Sequence, residues 1–266
     1  MSGQGPGALD GKVILVSGVG PGLGRAVASE ALRAGARVVL GDLDGARVRA
    51  ILGDLGADED AARAVEADIR SLSACEELVS VARSAFGRLD GLVHVAALDT
   101  PVGGLLDGDL DDWSAVAEVN VKGTLQLTKL AVPLLRNSGA GSVVMVGSIA
   151  AAGPVEGVVQ LAYGMSKAAL AVGAYYLSRE LGPLGIRVNT VAPGWKWGPT
   201  LEEGMAQLAS TTGVSVETLV APVRDAISLR RFATDRDVAD SVVFLLSDAT
   251  KAVTGQTVYV DGGICH

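Results

Sequence analysis

The chain has 266 residues, of which 30 are acidic and 22 basic, giving a formal net charge of −8. This charge disfavours binding to nucleic acids and anionic membranes, because the sequence has no basic patch that would reverse it locally. The length and an apolar content of 49% suit one α/β domain with a large core. Cys75 and Cys265 are isolated, without metal-type spacing, and no signal peptide is recognisable, so the sequence predicts a cytoplasmic protein.

The first predicted strand leads directly into a glycine-rich turn. An apolar run over Val13–Ser17 is followed by Gly18, Gly22 and Gly24 and then by an alanine-rich helical pattern. The first N–H groups and the positive dipole end of such a helix bind anions, and glycines let a pyrophosphate approach the backbone closely. The pattern predicts a phosphate-binding turn over residues 18–24, although a tight turn without a ligand would need the same glycines.

A second predicted strand, Arg37–Asp42, ends in a carboxylate about twenty residues after the glycines. In dinucleotide-binding folds, an acid at this place accepts hydrogen bonds from the adenosine ribose and repels a 2′-phosphate. Asp42 therefore predicts NAD as the cofactor rather than NADP.

The rest of the chain alternates strand and helix signals. Further strands are predicted at residues 64–68, 91–97, 142–146, 186–191 and 257–260. Helix starts are predicted at Asp44, at Ser73 with Glu76, at Asp109 or Asp111, and at Thr234 with Asp237. One uninterrupted helix is expected from Asp109 or Asp111 to Asn137, and another carries Tyr163 and Lys167.

Strands that alternate with helices of this length form a parallel sheet covered on both faces. The predicted fold is therefore α/β, a single doubly wound Rossmann-type domain with a mostly parallel seven-stranded sheet. Residues 1–8 are expected to form a flexible leader and residues 9–266 the domain. Residues 195–231 lose their periodicity and are expected to cover the substrate, and ligands should gather at the carboxyl ends of the strands.

Residues spread along the whole chain carry a resemblance to a known family. They are Ser17-Gly18, Gly22, Gly24, Asp42, Asp68, Asn120, Ser148, Tyr163, Lys167, Pro193-Gly194 and Asp261-Gly262-Gly263. In this order they resemble the short-chain dehydrogenase/reductase family over residues 12–263. The resemblance implies that NAD is bound by Gly18, Gly22, Leu23, Gly24, Asp42, Leu43, Asp68, Ile69, Ala96, Tyr163, Lys167, Pro193 and Gly194. Asp68 and Ile69 would hold the adenine, although Asp68 could also be a plain strand-end cap.

The expected catalytic residues are Asn120, Ser148, Tyr163 and Lys167. Tyr163 and Lys167 are four positions apart and share one face of a helix. A phenol titrates near ~10, and a neighbouring ammonium lowers its pKa, so Tyr163 could exchange a proton with a substrate alcohol as hydride leaves. Ser148 would orient the substrate oxygen, and the resemblance implies that Asn120 anchors a relay water. Taken singly, these residues could instead be a core tyrosine, a surface lysine and a capping serine.

The sequence departs from the family pattern at two sites. The family's Asn-Asn-Ala-Gly at the end of the fourth strand is replaced by His94-Val95-Ala96-Ala97, which removes side-chain bonds between strands. His94 is expected to be a core residue rather than a ligand, and no metal site is predicted. Gly198 replaces a threonine that contacts the nicotinamide carboxamide in the family, and Thr200 or backbone groups could serve instead.

The expected substrate follows from large apolar residues around this site. The predicted pocket wall consists of Leu98, Val102, Leu105, Pro154, Val155, Val158, Val159, Trp195, Trp197, Met205, Leu208 and Leu219. Such a wall favours an apolar secondary alcohol or ketone. Lys196 could meet a substrate carboxylate, but a solvated loop lysine is the favoured interpretation.

Two other functions also fit the residues. A 3-oxoacyl thioester reductase would favour NADPH and a basic docking patch, whereas a non-catalytic NAD(H)-binding module would have no need for Ser148, Tyr163 and Lys167. Apolar helix faces around residues 125–135 and 168–177 predict a homo-oligomer, either a dimer or a tetramer.

Overall fold

The structure is a computed structural model that describes residues 7–100, 102–154 and 159–264, without the side chains of residues 199 and 200. Seven parallel strands form one sheet in the order β3-β2-β1-β4-β5-β6-β7. They are β1 (Val13–Ser17), β2 (Arg37–Asp42), β3 (Ala62–Glu66), β4 (Gly91–His94), β5 (Ser142–Val146), β6 (Arg187–Pro193) and β7 (Thr257–Val260). The predicted fold class is confirmed. Most of the predicted leader, residues 1–6, lies outside the described residues.

Helices cover both faces of the sheet. They are α1 (Leu23–Arg33), α2 (Gly45–Asp54), α3 (Leu72–Phe86), α4 (Leu110–Ala117), α5 (Thr124–Asn137), α6 (Leu161–Leu181), α7 (Pro199–Thr212), α8 (Val216–Ala226) and α9 (Asp235–Leu246). One buried cluster joins α1, α2 and α9 to one face, and a second joins α3, α5 and α6 to the other. Alternate residues of β1 enter the two clusters, because successive strand side chains point to opposite faces. Both faces are therefore apolar, as the near-continuous apolar strands predicted.

The strand order reverses between β1 and β4. The chain builds β1, β2 and β3 outward in one direction and then returns to pair β4 with the free side of β1, with Ile14 opposite Gly91. Such a reversal opens a crevice at the carboxyl ends of the strands, where doubly wound folds bind ligands. The glycine turn after β1 lies at this crevice.

The predicted ends of β3 and β4 are wrong, and β6 continues two residues beyond its predicted end, to Pro193. β3 spans Ala62–Glu66 because Asp42 at the end of β2 pairs with Glu66, so Asp68 follows the strand instead of closing it. β4 stops at His94 because the N–H groups of the next two residues, 95 and 96, both donate to the Ser17 carbonyl and turn the chain away.

Two helix predictions also need correction. α3 begins after Ser71, whose hydroxyl accepts from the N–H of Ala74, so the predicted capping box at Ser73 is wrong. The long helix predicted up to Asn137 is interrupted by a π-helical turn over Glu118–Gly123, which separates α4 from α5. The weakly periodic segment 195–231 contains two helices, α7 and α8, and its role as a substrate cover stays a prediction.

Candidate active site

A cavity of about 460 Å³ opens at the carboxyl ends of the strands. It is lined by Pro21, Gly22, Leu23, Asp99, Ser148, Ile149, Ala150, Gln160, Tyr163, Gly194, Trp195, Lys196, Gly198, Leu201 and Asp235. The cavity thus brings together the end of β1, the end of β5, the start of α6 and the loop after β6. Two of the predicted catalytic residues, Ser148 and Tyr163, lie in its wall.

Ser148 and Tyr163 are held in contact by the elements that carry them. Ser148 follows β5 and begins a short 3₁₀ turn, in which its hydroxyl accepts a hydrogen bond from the Ala150 N–H at 3.2 Å. Tyr163 lies in the first turn of α6, and its phenol and the Ser148 hydroxyl line the same cavity, close enough for Ser148 to oppose the rise in the phenol pKa that burial causes. One substrate oxygen could therefore meet both hydroxyl groups.

Lys167 is buried one helical turn further along α6. Its ammonium donates to the Val146 carbonyl at 2.8 Å and lies 5.4 Å from the centre of the Tyr163 ring. Burial lowers the pKa of Lys167 to about 8, because desolvation penalises the charged form. Burial also raises the pKa of Tyr163 to about 12, despite the opposing effect of Ser148. Burial therefore decides the pKa of the phenol, and the nearby ammonium does not bring it below the ordinary value.

Asn120 ties the loop after β4 to α6. Its side chain accepts from the Leu98 N–H at 2.7 Å and donates to the Leu98 carbonyl at 3.1 Å. The same amide donates to the Ser166 hydroxyl at 2.9 Å, and Ser166 donates to the Tyr163 carbonyl at 2.7 Å. Asn120 lies in the π-helical turn, a feature that often marks functional sites. Its side chain thus positions the helical turn that carries Tyr163, and its part in a water relay stays a prediction.

The glycine turn leaves room for an anion. Gly18 has φ +89°, and a Cβ there would lie 2.1 Å from the Ala96 nitrogen, while a Cβ on Gly24 would lie 2.2 Å from the Gly18 oxygen. Gly18 thus allows the turn to pack against the residues that follow β4, and Gly24 allows the turn to close on itself. Gly20, in contrast, faces open space, and α1 begins after Gly22 with no side-chain cap and no acid in its first turn. The free helix start and the open side of the turn fit a diphosphate.

A second cavity, of about 380 Å³, lies on the other side of the turn. Its lining contains most of the residues predicted for the adenosine end of the cofactor, namely Gly18, Asp42, Leu43, Asp68, Ile69 and Ala96. Two cations also line it. Arg47 lies 3.7 Å from the Asp42 carboxylate, and Arg70 forms a close ion pair with Asp68 at 2.6 Å. The guanidinium of Arg70 lowers the pKa of the Asp68 carboxyl group.

The remaining predicted cofactor residues lie outside the adenosine cavity. Leu23, Gly22 and Gly194 line the first cavity with Tyr163, whereas Gly24 is packed inside the turn and Lys167 lies behind the tyrosine. Pro193 ends β6, and a Cβ on Gly194 would lie 2.6 Å from the Cβ of Asp261. Gly194 is therefore required by the packing of this loop against the segment after β7.

Among the described residues, no cluster of histidine, cysteine or acidic side chains could hold a metal ion. Helices that could cross a membrane are also missing from the described part of the chain.

Comparison with known proteins identifies the family. A protein-family model described as enoyl-(acyl carrier protein) reductase matches residues 18–265. The 2-(S)-hydroxypropyl-CoM dehydrogenase 3 of Xanthobacter autotrophicus is 33% identical over 258 residues, which cover 96% of this chain and 97% of that protein. The chain belongs to the short-chain dehydrogenase/reductase family.

Solved structures of this short-chain dehydrogenase/reductase family match the fold along nearly the whole chain. A family member described as putative from Burkholderia xenovorans has a TM-score of 0.87 at 29% identity, with 97% of this chain and 98% of that chain covered. The 3-ketoacyl-(acyl-carrier-protein) reductase from Brucella melitensis, solved with NADH, has a TM-score of 0.83 at 28% identity, with coverages of 97% and 100%.

The observed pocket wall of the present protein differs from the one that the sequence predicts. Trp195 lines the cavity beside Tyr163, but Pro154 and Val159 line a neighbouring cavity of about 430 Å³, and Leu98 lines the adenosine cavity. Trp197 packs against Phe232 with ring centres 5.5 Å apart. Leu105 is largely exposed, and Val155 and Val158 lie outside the described residues.

Sequence reasoning missed the polar residues of the cavity. Asp99 follows β4, and its carbonyl accepts a hydrogen bond from the Gln160 side chain at 2.6 Å. Asp235 lies in the first turn of α9 and forms an ion pair with Lys196 at 2.6 Å, so Lys196 is a paired, partly exposed lysine rather than a freely solvated one. Each residue had a signal in the sequence. Asp99 follows the end of a predicted strand, and Asp235 lies at a predicted helix start.

Proposed function

We propose that this protein is an NAD-dependent dehydrogenase that interconverts a secondary alcohol and its ketone. The observation that carries the proposal is the Ser148–Tyr163 hydroxyl pair in a cavity that also contains the open glycine turn. Membership of the short-chain dehydrogenase/reductase family agrees with this reaction class. The complex of the Brucella melitensis reductase with NADH supports a nicotinamide cofactor in the same fold.

In this proposal, each residue has a defined task in alcohol oxidation. The deprotonated Tyr163 oxygen takes the proton from the substrate hydroxyl, and Ser148 donates a hydrogen bond that holds the same oxygen in line. Lys167 provides a positive charge behind Tyr163, and Asn120 keeps the turn of α6 in register. A bound oxidised nicotinamide supplies the hydride acceptor and a second positive charge. In the reverse direction, Tyr163 returns its proton to the ketone oxygen.

The pKa of Tyr163 predicts that the two directions of the reaction depend differently on pH. A phenol keeps its proton at neutral pH, and burial raises the pKa of Tyr163 further, to about 12, so the residue can act as an acid. Ketone reduction uses that form directly, whereas alcohol oxidation needs its conjugate base. The rate of oxidation should therefore rise with pH above neutrality until Lys167, with a pKa of about 8, loses its positive charge, while the rate of reduction should not rise.

The NAD preference is proposed from Asp42, and the substrate from the walls of the two neighbouring cavities. Asp42 lines the adenosine cavity, where its charge would repel a 2′-phosphate. Trp195, Leu201 and the alanines of residues 150–152 offer apolar surface for a mainly hydrophobic skeleton. A 3-oxoacyl thioester reductase is the second candidate, because the Brucella melitensis relative carries that description.

The test measures initial rates on a panel of secondary alcohols, ketones and 3-oxoacyl thioesters with NAD(H) and NADP(H). Wild-type protein is compared with Tyr163→Phe, which should lose about 10²- to 10⁴-fold in rate because its acid/base group is missing. Tyr259→Phe is the control, since it removes a partly exposed hydroxyl from β7, outside the cavity, and should leave the rate unchanged. NADH binding is followed by fluorescence in all three proteins.

Each outcome separates the candidates. Turnover of alcohols with NAD supports the dehydrogenase, and faster turnover of thioesters with NADPH favours the second candidate. Binding of NADH with no turnover of any substrate would instead indicate a binding module. Equal rates for wild type and Tyr163→Phe would rule out the assigned role of Tyr163.

A further inference from the structure

The first cavity contains an ion pair beside the open glycine turn. The Lys196 ammonium lies 2.6 Å from one oxygen of Asp235. The other oxygen of Asp235 would lie 3.2 Å from a Cβ on Gly22, so the carboxylate is directly next to the start of α1. A carboxylate here opposes the anion site that the glycines and the helix dipole create. The lysine offsets that charge.

Both partners are fixed in place by their own elements. Asp235 lies in α9, whose start is held by a reciprocal capping box between Thr234 and Asp237. Lys196 forms a β-bridge with Ala233, and the next residue, Trp197, donates its N–H to the Ala233 carbonyl at 3.0 Å. The backbone of Lys196 is therefore held near the turn even without the bond to Asp235.

This loop is also where the chain departs from its family, since Gly198 replaces the usual threonine. Gly198 has an extended backbone and no side chain that could donate a hydrogen bond. Among the described residues that line the cavity, Lys196 is the one cation, and Asp99 and Asp235 are the acids. Lys196 is therefore the one residue of this cavity wall whose positive charge could bind a ligand with two negative charges at the glycine turn.

We propose that Lys196 binds the diphosphate of the dinucleotide and that Asp235 holds the lysine ammonium beside the glycine turn in the free protein. The inference rests on the proposed function, because it requires a dinucleotide at the turn. Binding of the diphosphate exchanges one anionic partner of Lys196 for another. The affinity should follow the net charge that residues 196 and 235 together place beside Gly22.

The experiment measures the affinity for NADH by fluorescence and for ADP and adenosine by calorimetry. Lys196→Met leaves an unpaired carboxylate and should weaken ADP and NADH binding about tenfold, since the pair is partly exposed and screened by solvent. Asp235→Asn leaves an unpaired ammonium and should tighten both by a similar factor. The double variant restores the wild-type net charge and should return close to the wild-type affinity.

Three controls separate charge from structure. Adenosine has no phosphate, so its affinity should be the same in every variant. Lys196→Arg keeps the positive charge and should bind ADP within about threefold of wild type. Lys251→Met removes an exposed lysine that pairs with Asp248 and should change nothing. Melting temperatures confirm that each variant is folded before its affinity is compared.

The outcomes are distinguishable. The inference is supported if Asp235→Asn binds ADP most tightly, wild type and the double variant bind it equally and less tightly, and Lys196→Met binds it most weakly. Wild-type affinity in Lys196→Met, or equal losses for ADP and adenosine, would overturn it while leaving the cofactor assignment intact. If wild-type protein binds neither NADH nor ADP, the proposed cofactor and this inference both fail.

Discussion

Asp42 and Arg47 together should decide which dinucleotide the protein accepts. The Asp42 carboxylate accepts a hydrogen bond from the Asp44 N–H at 3.0 Å, which fixes its orientation at the end of β2. Arg47 extends from α2 to within 3.7 Å of the same carboxylate. A site that excludes a 2′-phosphate by charge therefore already contains a cation that could bind one.

We expect Asp42→Ala to reverse the cofactor preference. The variant loses the ribose hydrogen bonds, so kcat/KM with NAD should fall about 10- to 100-fold, as charge-assisted bonds of this kind contribute about 1.5–3 kcal/mol. With the carboxylate gone, the Arg47 guanidinium can pair with a 2′-phosphate, and kcat/KM with NADP should rise. Steady-state kinetics with both cofactors give the ratio.

Arg47 provides the control for this prediction. The double variant Asp42→Ala/Arg47→Ala should lose the gain with NADP but stay poor with NAD, because neither charge remains. An equal gain with NADP in the single and double variants would show that Arg47 does not bind the phosphate.

At the scale of elements, His94 joins three parts of the fold. It lies in β4, and its Nε2 is 2.8 Å from the Thr128 hydroxyl in α5, while its Nδ1 is 3.4 Å from the Ser17 hydroxyl in β1. Thr128 donates its one hydroxyl hydrogen to the Thr124 carbonyl at 2.8 Å, so His94 must donate through Nε2. Side-chain bonds that the altered motif was expected to lose are thus replaced by those of a neutral core histidine.

This histidine should make the protein sensitive to acid. Burial lowers the pKa of His94 to about 3, against 6.5 in the unfolded chain. Its stabilising contribution is therefore complete above pH 6.5 and is lost progressively as the pH falls from 6.5 towards 3. Between neutral pH and pH 5, the free energy of unfolding should fall by about 2 kcal/mol from this group alone.

The variant His94→Gln isolates the effect, because glutamine is polar but does not titrate. Urea unfolding at pH 7 and pH 5 should show a loss of stability that is about 2 kcal/mol smaller in the variant than in wild type. Carboxylates titrate in both proteins and cancel in the comparison. The same loss in both proteins would mean that His94 is not the sensitive group.

At the scale of the whole molecule, one face of α6 is apolar and exposed. Met165, Val172 and Tyr176 are 57%, 59% and 70% exposed, and their spacing of seven and four residues puts them in one stripe. Apolar stripes of this kind mark interaction surfaces. They favour the predicted dimer or tetramer.

We expect wild-type protein to sediment as a dimer or tetramer and Val172→Glu to sediment at a lower mass, because a buried unpaired charge would destabilise the interface. Leu106→Glu is the matched control, since Leu106 is almost fully exposed and lies outside α6. A wild-type monomer at all concentrations would contradict the predicted oligomer. A mass unchanged by Val172→Glu would exclude this face.

Local sequence patterns determined the architecture of this protein. The α/β alternation, the glycine turn and the acid after β2 follow from periodicity, capping residues and spacing, which depend on neighbours along the chain. The assignment of Ser148, Tyr163 and Lys167 came from the resemblance to the family. Parallel strands bring their carboxyl ends to one edge of the sheet, so residues at several strand ends could be assigned to one site before any contact was known.

Only the tertiary structure decided which side chains meet and what charge they carry. His94 pairs with Thr128, Lys196 with Asp235 and Asn120 with Ser166, across 34, 39 and 46 positions of the chain. No spacing rule links such distant residues. The Tyr163 pKa is raised in the free protein, where the nearby lysine predicted a fall, because desolvation depends on all the protein packed around the phenol. The spacing of Tyr163 and Lys167 along one helix shows that the two side chains are neighbours, but it does not show how deeply the phenol is buried.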